Sequence, residues 1–293
     1  MSLPWSPSPR PGGADIFDGP ASQADLLAEA YDLEHDQVTE DLLFYRELTR
    51  RVRGAVLDLG CGSGRLFRTY LDGGASRVVG VDGSPAMLRR AQARLAADPI
   101  LGAAAADGRL ELVEDDVRTV RRKDRFALIV AAGVVPHLDG PEEGLSLIGR
   151  MARLLSPTGM AVLDDLGPAG LPSADMPLAV DWHGESAGRE FVRRSELVRR
   201  EAPEGLRINF STILDLTQTD GTKVRLPASY RLWYPSPAVL SGLVEAAGLV
   251  VAAVYGSHDL DPLDDGSGRA IVLARRSRSR PARGLVRTKG DRV

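Results

Sequence analysis

Two apolar patterns alternate along the chain as far as residue 165. Short unbroken runs such as Val78-Val79-Gly80-Val81 have the length and composition of strands buried on both faces. Between them apolar residues recur at helical spacing, as in Leu66, Phe67, Tyr70 and Leu71. The pattern predicts strand 55–59, helix 64–72, strand 77–82, helix 85–96, strands 110–113 and 126–132, helix 141–155 and strand 160–164. Asp139-Gly140-Pro141-Glu142 supplies the last helix with a cap residue, an N-terminal proline and a first-turn acid. After Asp165 the rhythm changes. Leu206, Ile208, Phe210, Thr212, Leu214 and Leu216 share one face, opposite Arg207, Asn209 and Asp215. Three antiparallel strands are expected near 189–199, 205–217 and 222–233, with Asp220-Gly221 as a tight turn. A helix then runs from Ser236-Pro237 to Ala247, stopped by Gly248 and followed by strands 249–255 and 270–274. Upstream, Leu26, Leu27, Ala30, Val38, Leu42, Phe44, Tyr45 and Leu48 give residues 21–51 the faces of one or two amphipathic helices.

The expected fold is therefore α/β: a doubly wound, seven-stranded, mostly parallel sheet carrying an inserted antiparallel β lid. The expected organisation is a disordered segment 1–20, cap helices 21–51 and a core of 52–165 with 235–275. The inserted sheet spans 166–234 and a basic disordered tail spans 276–293. The insertion belongs over the carboxyl ends of the main strands, where open α/β sheets bind ligands.

The most informative segment is Asp58-Leu59-Gly60-Cys61-Gly62-Ser63-Gly64. Its glycines permit positive φ and let a ligand approach the backbone, and the helix after it points its N-terminus at the same space. About twenty residues on, Asp82 ends the next strand, where a carboxylate can accept from a ribose diol. A dinucleotide fingerprint reads G-x-G-x-x-G. Here the third glycine comes one residue early, Arg65 stands in its place, and Asp58 precedes the turn. A pyrophosphate disfavours that acid, whereas a ligand with an ammonium group suits it.

This D-x-G-x-G-x-G arrangement resembles motif I of the class I S-adenosylmethionine-dependent methyltransferases. The resemblance extends over roughly residues 30 to 275. Gly80-Val81-Asp82-Gly83-Ser84-Pro85-Ala86-Met87-Leu88 is similar to the second motif, Val113-Glu114-Asp115-Asp116-Val117 to the third, and 126–132 to the fourth strand. The resemblance implies S-adenosylmethionine as cofactor. Asp58 and the backbone of Gly60, Gly62 and Gly64 would hold its methionine end, Asp82 the ribose and Met87 the adenine face. Asp116 with Val117 would meet the adenine edge, with Asp115 as competitor, and Ala131 would lie beside the cofactor. Tyr31 of the Tyr31-Asp32 pair would begin a segment that closes over it, or else anchor the N-terminal helix. The last strand would run antiparallel.

Methyl transfer from a sulfonium demands mainly geometry and sometimes a base. Among His35, His137, His183 and His258, His137 follows the fourth strand, which makes it the leading base; it could equally brace its loop. Asp139 is a second catalytic candidate. Asp165 and His183 are substrate candidates, and Asp164 also stands at a strand end. The fourth strand lacks the Asn/Asp-Pro-Pro-aromatic motif of methyltransferases that act on planar amino groups. No metal set is evident.

Composition narrows the function further. The net charge of −3 gives no global basic field, although eight basic residues and one acid fill 275–293. No apolar stretch approaches the ~18 residues of a membrane helix. The Pro- and Ser-rich start has no signal core, so a cytoplasmic location is expected. Cys61 is the sole cysteine, which excludes an intramolecular disulfide. The expected acceptor is a small molecule, a specialised metabolite methylated on nitrogen rather than oxygen or carbon. Two other readings stay open: an RNA or protein methyltransferase docked by the basic tail, and a non-methylating member of the fold. Nucleic acid and membrane partners are not expected. The oligomeric state is open, with a dimer among the options.

Overall fold

A computed structural model describes residues 21–277. The expected disorder of 1–20 and of most of the tail lies outside the described residues. The chain runs α1 (Ala21–His35), α2 (Leu42–Val52), β1 (Ala55–Leu59), α3 (Phe67–Asp72), β2 (Arg77–Asp82), α4 (Pro85–Ala97) and α5 (Pro99–Ala106). It continues through β3 (Leu110–Glu114), β4 (Phe126–Ala132), a 3-10 turn at Val135–His137, α6 (Pro141–Leu154) and β5 (Leu155–Leu166). Four long strands follow: β6 (Met176–Ser186), β7 (Arg189–Ala202), β8 (Gly205–Thr217) and β9 (Lys223–Pro235). Then come α7 (Pro237–Ala246), β10 (Leu249–Tyr255) and β11 (Arg269–Arg276).

The main sheet has seven strands in the order β10-β11-β5-β4-β1-β2-β3. β1, β2, β3, β4 and β5 pair in parallel, and β11 is antiparallel to both of its neighbours. Successive strand residues face opposite sides, so a strand covered twice must be apolar throughout. Leu57, Val79, Val81, Ile129 and Leu163 join the core under α6 and α7. Val56, Val78, Leu128, Val130 and Val162 join Tyr45, Phe67, Tyr70 and Leu101 of the helices on the other face. α4 begins with Ser84 accepting from the Met87 N–H and Pro85 in the first turn.

The inserted sheet has four strands, β6-β7-β8-β9, rather than three, and its first strand carries Trp182 and His183. Leu206, Ile208, Thr212, Leu214 and Leu216 of β8 are buried along one face, as the alternation requires. α1 packs on this sheet through Ala30, Leu26, Leu27 and Leu33 against Phe191, Leu214 and Leu216. From β9, fully buried Trp233 enters the main core between α6 and α7 and approaches Gly144 closely. Among the described residues no helix is long and apolar enough to cross a membrane.

Candidate functional site

β1 delivers Asp58 to a turn whose Gly60, Gly62 and Gly64 have φ of 71°, 54° and 77°. A Cβ on Gly64 would collide with the Phe67 ring, whereas one on Gly62 would meet only the Met87 methyl, at 3.8 Å. Gly62 therefore leaves bare backbone facing Met87. Gly60 and Cys61 donate to the Val81 carbonyl at 2.8 and 3.0 Å. Asp82 accepts from the Gly62 N–H at 2.7 Å and from the Ser84 N–H at 2.8 Å, so it ties the turn to the end of β2. Burial pushes the Asp58 carboxyl up to about 7, with Asp82 adding in the same direction. Cys61 is buried, which raises its thiol well above the usual range.

The other cofactor candidates are placed unevenly. Met87 is buried against Ala24, Ala28 and Ala86. Asp116 chelates the Arg118 guanidinium and accepts from its backbone N–H, which holds the carboxyl below its ordinary range; Arg118 also pairs with Glu143. Asp115 caps the N–H of Asp116. Val117 packs against the core. Ala131 is fully enclosed in the core, and its successors Ala132 and Gly133 form the cavity wall instead.

That cavity, of about 710 Å³, lies between α1, the carboxyl ends of β4 and β5, and the inserted sheet. Its size is within the ordinary range for small-molecule sites, ~300–1,000 Å³. Tyr31, Trp182, Phe210, Tyr230 and Tyr234 give it aromatic walls. Tyr31 is partly exposed and stacks on His35 at 3.8 Å; the protein crowded around its hydroxyl, partly offset by Arg65, pushes that group up to about 12. His137 lines the cavity with an accessible ring. The crowding of the protein around it, opposed by Asp82, holds its pKa below the usual histidine value.

Charge in the cavity is mostly paired. Arg65 grips Asp41 with both terminal nitrogens, at 2.9 and 2.5 Å. Arg193 bridges Glu34 and Asp181. Asp164 accepts from the Tyr45 hydroxyl at 2.6 Å, from His258 Nε2 at 2.8 Å and from the Arg269 guanidinium. Burial alone would raise the Asp164 carboxyl, but His258 and Arg269 outweigh it and hold the group below its ordinary range. Asp165 is the exception. It lines the cavity, is 7% exposed, and neither carboxylate oxygen has a hydrogen-bond partner.

Two sequence candidates are not brought to the cavity. Asp139 is exposed, 3.6 Å from Arg231, and its carbonyl accepts from Arg207 at the edge of the inserted sheet. His183 is exposed on β6 and meets Glu190 at 3.1 Å, because the neighbouring Trp182 takes the inward position. Sequence reasoning missed Arg193, Arg269 and the aromatic wall. It had noted His258 and Asp164 but not their pairing. The one local signal was alternation along 206–216, which assigns Phe210 and Thr212 to the inward face.

Residues 56–159 match a family profile described as a methyltransferase domain. Over those residues the chain has the sequence pattern of a methyltransferase domain. A curated relative is the ribosomal RNA small subunit methyltransferase H of Synechococcus sp. (strain JA-2-3B'a(2-13)). It is 35% identical over 179 residues, covering 57% of this chain and 50% of the relative. The chain spans about half the length of that relative. Among solved structures, the S-adenosylmethionine-bound amino pentose methyltransferase CalS10 of Micromonospora echinaspora aligns at TM-score 0.62 and 22% identity, over 86% of this chain and 97% of that one. The sugar N-methyltransferase KedS8 of Streptoalloteichus sp. aligns at TM-score 0.64 and 18% identity, over 94% and 99%. At these identities the likeness is one of fold. The matched segment runs from β1 to the start of β5, and the inserted sheet lies beyond it.

Proposed function

We propose that this chain transfers a methyl group from S-adenosylmethionine to a small-molecule acceptor held in the cavity, with an amine nitrogen favoured over oxygen or carbon. The observation that carries the reading is the cavity itself. It is walled by α1 and the inserted sheet, and its floor is the carboxyl ends of β4 and β5, beside β1, the strand that leads into the glycine turn.

The residues present fit the cofactor. Gly62 exposes backbone toward Met87, Asp82 is held at the end of β2, and the buried Asp58 would be stabilised by a neighbouring ammonium. When bound, the cofactor supplies an electrophilic methyl, which leaves the protein to orient the acceptor and exclude water. His137 is held neutral by its surroundings and is the side chain suited to receive a proton from the acceptor. The acid residues of the cavity and the likeness to KedS8, a sugar N-methyltransferase, support nitrogen as the acceptor atom. A second reading, methylation of RNA, is favoured by the ribosomal RNA methyltransferase relative.

Calorimetry with S-adenosylmethionine tests the cofactor assignment. Asp82→Ala should weaken binding about tenfold or more, the factor represented by the ~1.5 kcal/mol lower bound for a charged hydrogen bond. Unchanged affinity sinks the assignment. Labelled methyl transfer, offered small amines against RNA, separates the two acceptors.

A further inference from the structure

Asp164 and Asp165 are sequence neighbours at one strand end with opposite circumstances. Asp164 is saturated by Tyr45, His258 and Arg269. Asp165 projects to the other side of β5, the side occupied by the 3-10 turn and β9, and has no partner on either oxygen. Buried carboxylates ordinarily have partners, so an unpartnered one facing a cavity calls for a ligand. Every cavity arginine is already engaged, Arg269 by Asp164, Arg65 by Asp41 and Arg193 by Glu34. Glu40 has no arginine either, but it is exposed.

We propose that Asp165 is the binding residue for a primary or secondary ammonium group, which defines the acceptor as an amine borne on a ring that the aromatic walls enclose. This inference rests on the methyl-transfer reading for its word acceptor, and on the cavity alone for the amine. The chemistry discriminates among ligands. An anion finds no free guanidinium here, since Arg269, Arg65 and Arg193 are each already paired with a carboxylate. A hydroxyl offers one donor, whereas an ammonium offers two or three and a full charge. Trp182, Phe210, Tyr230 and Tyr234 line the same cavity, and aromatic faces favour both rings and cations.

The groups facing Asp165 are Asp164 from its own strand, Arg269 from β11 and Tyr234 from β9, and His137 lines the same cavity. Burial, with the charge of Asp164, pushes the Asp165 carboxyl up to about 8 against the opposing pull of Arg269. Near pH 7 the empty site therefore holds –COOH. On binding R–NH3⁺ the carboxyl gives its proton to bulk water and the carboxylate pairs with the ammonium. Transfer of one ammonium proton to His137, which lines the same cavity, leaves R–NH2 with a free lone pair beside the Asp165 carboxylate.

The test uses the full chain and two isosteric probes, benzylammonium and benzyl alcohol, titrated calorimetrically at pH 7 in phosphate and in Tris. Benzylammonium should bind at least tenfold more tightly than the alcohol and release about one proton, read from the difference between the buffers. In Asp165→Asn the amine should weaken at least tenfold and the proton release vanish. The alcohol affinity and the near-UV circular dichroism should not change. Equal binding of the two probes to the wild-type chain, or undiminished amine binding by the variant, overturns the proposal. A parallel titration with S-adenosylmethionine keeps the two readings apart. Amine preference without cofactor binding removes only the methyl-transfer reading, and cofactor binding without amine preference removes only this one.

Discussion

His137 and Asp165 occupy one cavity, and the protein disfavours the charged form of each. Crowding keeps the imidazole neutral, and burial keeps the carboxyl protonated near neutral pH. Replacing His137 by alanine should lower the transfer rate by ~10²-fold or more if it receives the acceptor's proton. Cofactor affinity should stay unchanged, and the acid limb of the pH–rate profile should disappear. A normal profile in the variant reduces His137 to a loop brace. Asp165 has a consequence for stability as well. Its folded pKa of about 8 is raised above the unfolded value of ~3.9, so the folded chain holds the extra proton between those limits. Stability is then greatest below the lower limit and falls as pH rises toward the upper one. Asp164 has the opposite sign, since its depressed pKa costs stability only as the solution becomes strongly acidic. Asp165→Asn removes the ionisation, so it should flatten the decline and stabilise the ligand-free protein more at pH 8 than at pH 5. Denaturant midpoints at pH 5 and pH 8 measure the difference.

Among the elements, Trp233 does most to join the inserted sheet to the core. Its indole packs at Gly144 of α6 and donates to the Glu204 carbonyl at 3.3 Å. Trp233→Ala should cost ~3–5 kcal/mol by denaturation, as large core truncations do. It should also weaken acceptor binding more than cofactor binding, because the sheet walls only the cavity. This sheet also marks the limit of what the sequence made legible. The parallel strands were legible because burial on both faces leaves an unbroken apolar run. β8 was legible because one buried face enforces alternation. β6 was not, since Met176, Leu178 and Val180 are exposed and Pro177 interrupts the run, so no face has a pattern. α5 was hidden because it restarts at Asp98-Pro99 directly after α4, with a run of alanines that has no polar side. The glycine turn could be read locally. The Asp164 network could not, for it joins residues 45, 164, 258 and 269 across loops that leave no spacing to recognise.

For the molecule as a whole, the segments that carry the methyltransferase match and those that enclose the cavity are different parts of the chain. The match ends at residue 159, and the aromatic walls come from α1 and from 182–234. The basic tail belongs to neither part. Removing residues 278–293 should leave the rate on a small amine unchanged within error. A large loss confined to RNA substrates would favour the second reading. α1 is held from both sides by ion pairs. Asp25, Asp32 and Asp36 meet Arg89, Arg90 and Arg94 of α4, while Glu29 and Glu34 meet Arg189 and Arg193 of the inserted sheet. Its buried apolar contacts with α4 are largely small alanines, whereas on the inserted sheet Leu26, Leu27 and Leu33 meet Phe191, Leu214 and Leu216. Attraction between partly exposed charges is screened by added electrolyte over a Debye length of ~8 Å at 0.15 M, whereas an apolar seam is not. The α4 side of this cavity wall is thus fastened in a way that responds to ionic strength, so added salt should loosen that side of α1 before the side seated on the inserted sheet, which amide hydrogen exchange along the helix would show.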